Sequence, residues 1–172
     1  MKVEKVVTGF LEENCYILSS GNNSLVIDPG EDYDKIRKGI GNNNVLAVLI
    51  THYHFDHIGA LSKLFKEFDP RIIDYKSKRK QKINNFSFSI IPTPGHTKDS
   101  VTFYFADEKI MFTGDFLFNN SIGRTDLDTG NIYEMKDSLE LIKKYDRDIK
   151  IYPGHGEDST LGYEFEKNIF MR

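Results

Sequence analysis

Val45-Leu46-Ala47-Val48-Leu49-Ile50-Thr51-His52-Tyr53-His54-Phe55-Asp56-His57 joins two kinds of sequence at one point. The six residues from Val45 to Ile50 form a continuous apolar run, which predicts a strand buried on both faces. The residues after it hold three histidines and an aspartate. The polar cluster therefore sits where a buried strand leaves its sheet, a common place for a site in layered α/β architectures.

The same succession recurs downstream. Thr93-Pro94-Gly95-His96-Thr97 follows a run in which Phe86, Phe88 and Ile90 alternate with Ser87 and Ser89. Thr113-Gly114-Asp115 follows the strand-like Lys109 to Phe112, and Pro153-Gly154-His155-Gly156 follows Ile149 to Tyr152. These clusters contain all 5 histidines of the chain. Taken singly, His96 or His155 in a Gly-Pro turn reads as structural, and Asp115 reads as a turn or capping residue. Taken together, at successive strand exits, they point to metal. Imidazole and carboxylate suit zinc, and also iron or manganese. His52, His54, Asp56, His57, His96 and His155, with Asp115 as a bridge, exceed what one tetrahedral zinc uses. Two divalent ions roughly 3.5–4 Å apart would use them all.

The remaining patterns predict a meander over Val3 to Val7, Cys15 to Leu18 and Leu25 to Ile27, then a helix over 32–40 ending at Gly41. Leu61, Leu64, Phe65 and Phe68 mark a second helix that Pro70 ends. Arg71 to Tyr75 reads as a short strand, and Val101, Phe103 and Phe105 as a half-buried one. Ile132, Met135, Leu139 and Ile142 mark an amphipathic helix, and Thr160 to Phe170 a terminal one. The order suggests two sheets covered by helices in one domain, residues 1–172.

Bulk properties exclude several classes. The net charge of −3, from 23 basic and 26 acidic residues, gives no electrostatic reason to expect nucleic acid or an acidic membrane as partner. A small-molecule substrate is the expected partner, and the oligomeric state is open. No run approaches the roughly 18 apolar residues needed to span a bilayer. The start, Met1-Lys2-Val3-Glu4-Lys5, does not resemble a secretory signal, so a cytoplasmic location is expected. Cys15 is the single cysteine and lies in an apolar run, as a buried inert thiol would.

The residues His52-Tyr53-His54-Phe55-Asp56-His57, His96, Asp115 and His155 resemble the metallo-β-lactamase-fold superfamily. Asn14-Cys15-Tyr16-Ile17-Leu18, Val26-Ile27-Asp28-Pro29-Gly30, the run Phe112 to Leu127 and Thr160-Leu161-Gly162 narrow the resemblance to glyoxalase II-like bacterial hydrolases. It implies an α/β fold built as a four-layer αββα sandwich. It implies His52, His54 and His96 on one metal, Asp56, His57 and His155 on a second, and Asp115 bridging. Zinc is the first choice of metal. Asp56 and Asp115 are the expected catalytic carboxylates, with Asp56 orienting the attacking water or accepting its proton. The implied reaction is hydrolysis of a small thioester. A mononuclear iron persulfide dioxygenase and a lactone or β-lactam hydrolase are the alternatives.

The resemblance leaves some residues to interpret on their own. The stretch from His57 to His96 is shorter than is usual for the family, and no counterpart of the extra C-terminal helical domain of full-length glyoxalase II is expected within residues 1–172. Lys98-Asp99 stands where the family usually has Pro-Gly. Lys76 to Lys82 reads as a solvated loop or helix end, or as a patch for a small anion. Arg124 and Asp126 are either an orienting pair or a loop ion pair. Asp28 either orients a ligand or, as the first choice, forms a turn before Pro29. Tyr53 and Phe55 either line the pocket or pack, with packing the first choice for Phe55.

Overall fold

A computed structural model describes residues 1–172. The first sheet takes strands β1 (Lys2–Thr8), β2 (Glu13–Ser20), β3 (Asn23–Ile27), β4 (Asn44–Leu49) and β5 (Arg71–Ile73) in that order. Helix α1 (Tyr33–Ile40) precedes β4, and the short α2 (Phe55–Ile58) and α3 (Leu61–Phe68) follow it. Next come β6 (Lys80–Ile83), β7 (Phe86–Pro92), β8 (Val101–Phe105) and β9 (Ile110–Gly114). A two-strand ribbon, β10 (Leu117–Phe118) with β11 (Ser121–Ile122), leads to α4 (Ile132–Ile142). The chain ends with β12 (Lys150–Pro153), β13 (Ser159–Thr160) and α5 (Leu161–Lys167). The second sheet has the order β13-β12-β9-β8-β7-β6.

Strand alternation assigns each face. Tyr16, Leu18, Leu25, Ile27, Ala47 and Leu49 of the first sheet meet Phe86, Phe88, Ile90, Phe103, Phe105 and Phe112 of the second in one core. On the outer face of the first sheet, Cys15, Ile17, Val26, Val48 and Ile50 pack against Ile36, Ile40 and Leu64 of α1 and α3. On the outer face of the second, Met111, Ile149 and Ile151 pack against Met135, Leu139, Ile142 and Leu161. The result is the expected αββα sandwich. Burying these faces is the main stabilising term, because each large apolar side chain withdrawn from water contributes about 1.5–3 kcal/mol.

Three local expectations change. Thr102 of β8 is fully buried and Tyr104 stacks edge-on against Tyr145, so β8 is covered on both faces. The terminal helix stops at Lys167, because Asn168 is extended (φ −70°, ψ 118°) and starts a separate 3₁₀ turn at Ile169–Met171. Its side chain donates to Glu164 and to the Ser121 carbonyl, which fixes the break. Lys80 to Lys82 of the basic segment belong to the edge strand β6, while residues 76–79 form the expected loop. Cys15 is buried as expected, and burial pushes its thiol pKa well above the usual range.

Direction then places the site. β3, β4 and β5 run parallel, and so do β9 and β12. β7 is antiparallel to β8, which is antiparallel to β9, so β7 points the same way as β9. The C-terminal ends of β4, β7, β9 and β12 carry His52, His96, Asp115 and His155, so each sheet gathers its ligands at its own strand exits.

Helix α4 braces one of these exits. Asn131 caps it, accepting from the Tyr133 and Glu134 amides at 2.9 and 3.3 Å. The Asn131 amide donates to the Gly95 carbonyl, and the Ser138 hydroxyl to the Pro94 carbonyl at 2.7 Å. Asn131→Ala should cost about 1 kcal/mol in denaturant unfolding, the usual worth of such a cap. An unchanged unfolding midpoint would show that α4 does not depend on it.

Candidate metal centre

The four strand exits converge on one cluster. His52 Nε2 lies 3.1 Å from His54 Nδ1, which lies 2.9 Å from His96 Nε2. His155 Nε2 lies 3.3 Å from Asp56 Oδ2, which lies 3.6 Å from His57 Nε2. Asp115 stands between the trios, with Oδ1 at 3.3 Å from His57 Nε2 and Oδ2 at 3.4 Å from His96 Nε2. Two donors held about 2.0–2.1 Å from one tetrahedral ion are about 3.3 Å apart, so these separations suit ligands sharing a cation. Each of the trios His52/His54/His96 and Asp56/His57/His155 can hold an ion.

Hydrogen bonds outside the cluster orient the imidazoles. His57 Nδ1 donates to Asp28 Oδ2 at 3.0 Å, His96 Nδ1 to the Arg124 carbonyl at 2.7 Å, and His155 Nδ1 to the Leu11 carbonyl at 3.0 Å. The Thr51 hydroxyl donates to Asp28 at 2.6 Å, which leaves its oxygen to accept from His52 Nδ1 at 3.1 Å. Each of these partners therefore places a proton on Nδ1 and turns Nε2 inward, where it ligates once it carries no proton. His57 Nε2 and Asp115 Oδ1 are both buried without a hydrogen-bond partner. With His57 neutral these are two facing acceptors, and a shared cation would satisfy both.

Glycine makes room for the approach. A Cβ on Gly154 would meet Asp115 Oδ1 and would lie 2.7 Å from His57 Cε1. The Gly154 loop is anchored across the sheets. The Asn14 amide donates to the Gly154 carbonyl at 2.7 Å, and the Tyr16 hydroxyl to the Pro153 carbonyl at 2.7 Å. This gives the Asn14-Cys15-Tyr16 motif a physical role.

Electrostatics separates the trios. Burial and the neighbouring imidazoles lower the pKa values of His52 and His54 below the histidine range. Burial also works against a charge on His57, but the Asp115 and Asp28 carboxylates outweigh it and raise its pKa well above the usual value. His155 is likewise raised, with burial opposed by Asp56 and Asp115. Asp115 stays below the usual carboxylate range despite its burial, held there by His57.

In the metal-free protein, His52 and His54 are neutral at pH 7, whereas His57 carries a proton that an ion must displace. A raised pKa means that the proton is held until the pH rises above it, so acid weakens the Asp56/His57/His155 trio first. Equilibrium dialysis with elemental analysis should find two ions per chain at about pH 8 and one at about pH 5.5, where free histidine is mostly charged. Parallel loss of both ions would contradict this asymmetry.

The structure decides between the alternatives for several residues. Asp28 is no simple turn residue. It is buried and accepts from the Thr51 amide at 2.7 Å, the Thr51 hydroxyl and His57. Arg124 and Asp126 form an exposed bidentate loop pair, at 2.8 Å for each bond, and it is the Arg124 carbonyl that orients His96. Phe55 is 66% exposed and lines the cleft rather than packing. Tyr53 turns away, its hydroxyl donating to Asp74 at 2.7 Å.

Glu13 was not singled out by sequence. It is fully buried, accepts from the Thr8 hydroxyl at 2.8 Å and lies 3.8 Å from His57 Nδ1. Burial pushes its pKa up to about 10, against the pull of His57, so it is neutral at pH 7. Its signal is a charged residue in phase with the buried Cys15 and Ile17 of β2.

Above the cluster opens a cleft of about 450 Å³, walled by Leu11, Phe55, Phe118 and Leu127 and floored by His54, Asp56, His96, Asp115 and His155. A cleft of about 520 Å³ near Asn119, Lys150 and Tyr163 holds none of these groups. No helix is long and apolar enough to cross a membrane.

Comparison with known proteins agrees with this architecture. The model of the metallo-beta-lactamase superfamily matches residues 8–88 and 83–155. The chain is 28% identical to hydroxyacylglutathione hydrolase GloC of Haemophilus influenzae, over 99% of this chain and 98% of the relative. That alignment has 208 positions, at least 36 more than the 172 residues here, so the relative carries insertions. Among solved structures, BLEG-1 B3 metallo-beta-lactamase superposes with a TM-score of 0.95 at 27% identity, covering 99% of each chain. TTHA1623 in a di-iron-bound form gives 0.89 at 28% identity, over 98% of this chain and 100% of the other. With two sheets between helix layers and a histidine–aspartate cluster at their strand exits, this chain belongs to the metallo-beta-lactamase superfamily of metal-dependent hydrolases.

Proposed function

We infer that residues 1–172 act as one hydrolase domain that cleaves a small thioester at a two-metal centre. His52, His54 and His96 hold one ion, and Asp56, His57 and His155 the other. Asp115 bridges them, and zinc is the first choice of metal. The observation that carries this reading is the completeness of both trios, with Asp115 directing one carboxylate oxygen to each. When bound, such ions polarise a carbonyl and lower the pKa of water towards about 7, which supplies a nucleophile at neutral pH.

The chain's own groups do the rest. Asp28, Thr51, Arg124 and Leu11 keep the imidazole protons outside the cluster. Asp56, buried at the floor of the cleft beside His155, orients the attacking water and takes its proton. Leu11, Phe55, Phe118 and Leu127 surround the acyl group with apolar surface and exclude bulk water. The thioester class is supported by the similarity to the Haemophilus hydroxyacylglutathione hydrolase. A mononuclear iron oxygenase would leave the Asp56/His57/His155 trio without work, and that trio is intact.

Turnover of a panel holding small thioesters, a lactone and a β-lactam tests this, using His54→Ala as the inactive control. Thioester cleavage that disappears in the variant is expected. Faster lactone or lactam cleavage would replace the substrate class. Oxygen consumption with one iron per chain would replace the reaction.

A further inference from the structure

The segment Lys76-Ser77-Lys78-Arg79-Lys80-Gln81-Lys82 carries five cations and no acid. With a net charge of −3 for the chain and +5 here, the remaining residues carry −8. All five cations are exposed, and none makes a salt bridge; five such charges within seven residues occur nowhere else in the chain. β6 is a sheet edge, and lysine on an edge strand discourages pairing with another chain. That accounts for Lys80 and Lys82. It does not account for Lys76, Lys78 and Arg79, which precede the strand.

Topology puts these three on the side of the sandwich where the metal cluster lies. The link from β5 to β6 crosses between the sheets at the edge where β4 and β7 deliver His52 and His96. Tyr53, between two of the clustered histidines, donates to Asp74, and Asp74 also accepts from the Lys76 amide at 3.0 Å. The Arg79 carbonyl accepts from the Ile90 amide at 2.8 Å on the strand that leads to His96. The acids near Tyr53 are already engaged. Asp74 is buried under these bonds, and Asp99 accepts from the Thr97 hydroxyl at 2.7 Å. A concentrated positive patch on a net-negative protein, on the strand-exit side of the sheets where the cleft opens, focuses attraction on an anionic part of a ligand that reaches past the cleft.

Resting on the hydrolase reading above, we propose that Lys76, Lys78 and Arg79 select a thioester whose thiol carrier bears phosphate groups, the acyl end entering the cleft and the phosphates meeting the patch.

The test compares kcat/KM for acetyl-coenzyme A with that for the acetyl thioester of N-acetylcysteamine, which has the same acyl group and no phosphate. The wild type should favour the phosphate-bearing substrate at least roughly tenfold at low salt, and lose much of that preference by roughly 0.3 M salt. K76E/K78E/R79E should abolish the preference and leave the neutral thioester unchanged. The control K38E/K136E/K167E, with the same change in net charge on other exposed and unpaired lysines, should keep it. A preference indifferent to K76E/K78E/R79E overturns the proposal. So does a variant whose only loss is binding of an oligonucleotide or an anionic vesicle. Binding of adenosine bisphosphate reads the patch without turnover, and its Kd should rise roughly tenfold in K76E/K78E/R79E only. If neither thioester is cleaved, the hydrolase reading fails, and an unchanged Kd would then overturn the patch as well.

Discussion

Asp115→Asn is expected to keep the far-ultraviolet circular dichroism of the wild type, bind fewer than two ions and lose at least about 10³-fold in kcat. The size follows from the charge that is removed. Asp115 directs one oxygen towards His57 and the other towards His96, and it is the only carboxylate placed between the trios. An amide offers one oxygen to one side and an N–H₂ donor to the other, so it cannot bridge two cations. Without the pair, water is no longer ionised near neutral pH, and several kcal/mol of transition-state stabilisation go with it. Wild-type stoichiometry in the variant, measured by elemental analysis, would remove the bridging role.

Asp28→Asn is the second large effect, and it acts at a distance from substrate. Asp28 receives three donors: the Thr51 amide, the Thr51 hydroxyl and His57 Nδ1. An asparagine must turn its N–H₂ group towards at least one of them. The backbone is no obstacle, because Asp28 has a φ of 46° and asparagine tolerates that left-handed region well. With His57 no longer held, affinity at the Asp56/His57/His155 trio should fall about 10–100-fold, the usual cost of losing such an orienting partner. The His52/His54/His96 trio should change less. A competitive chelator titration checks this, and wild-type affinity at both trios would show that Asp28 does not set the His57 geometry.

The contrast between Asp115 and Asp28 shows what could be read from sequence. Asp115 announces itself because it stands at a strand exit in phase with the histidine clusters. The two layers of helix and two of strand are legible from similar signals: Val45 to Ile50 is an unbroken apolar run, and Phe86 to Ile90 carries a clear period. Asp28 precedes Pro29-Gly30, which any turn would use, and its partners Thr51 and His57 are supplied by the neighbouring β4 exit. The carbonyls of Arg124 and Leu11 have no sequence signature at all, since every residue has one. The ribbon β10–β11 and the strand β13 are two residues per strand, too short to carry a period. Glu13 was the missed signal, because its place in the alternation of β2 already implied burial. The break at Asn168 depends on Glu164 and Ser121, and only the folded chain brings Ser121 there.

One chain is expected to hold two ions. The direct measurement is elemental analysis by inductively coupled plasma mass spectrometry on protein saturated with zinc at about pH 8 and freed of excess metal. Two zinc ions per chain is the expected result. One ion per chain under saturation would contradict the claim, because it would leave either the His52/His54/His96 trio or the Asp56/His57/His155 trio without a cation.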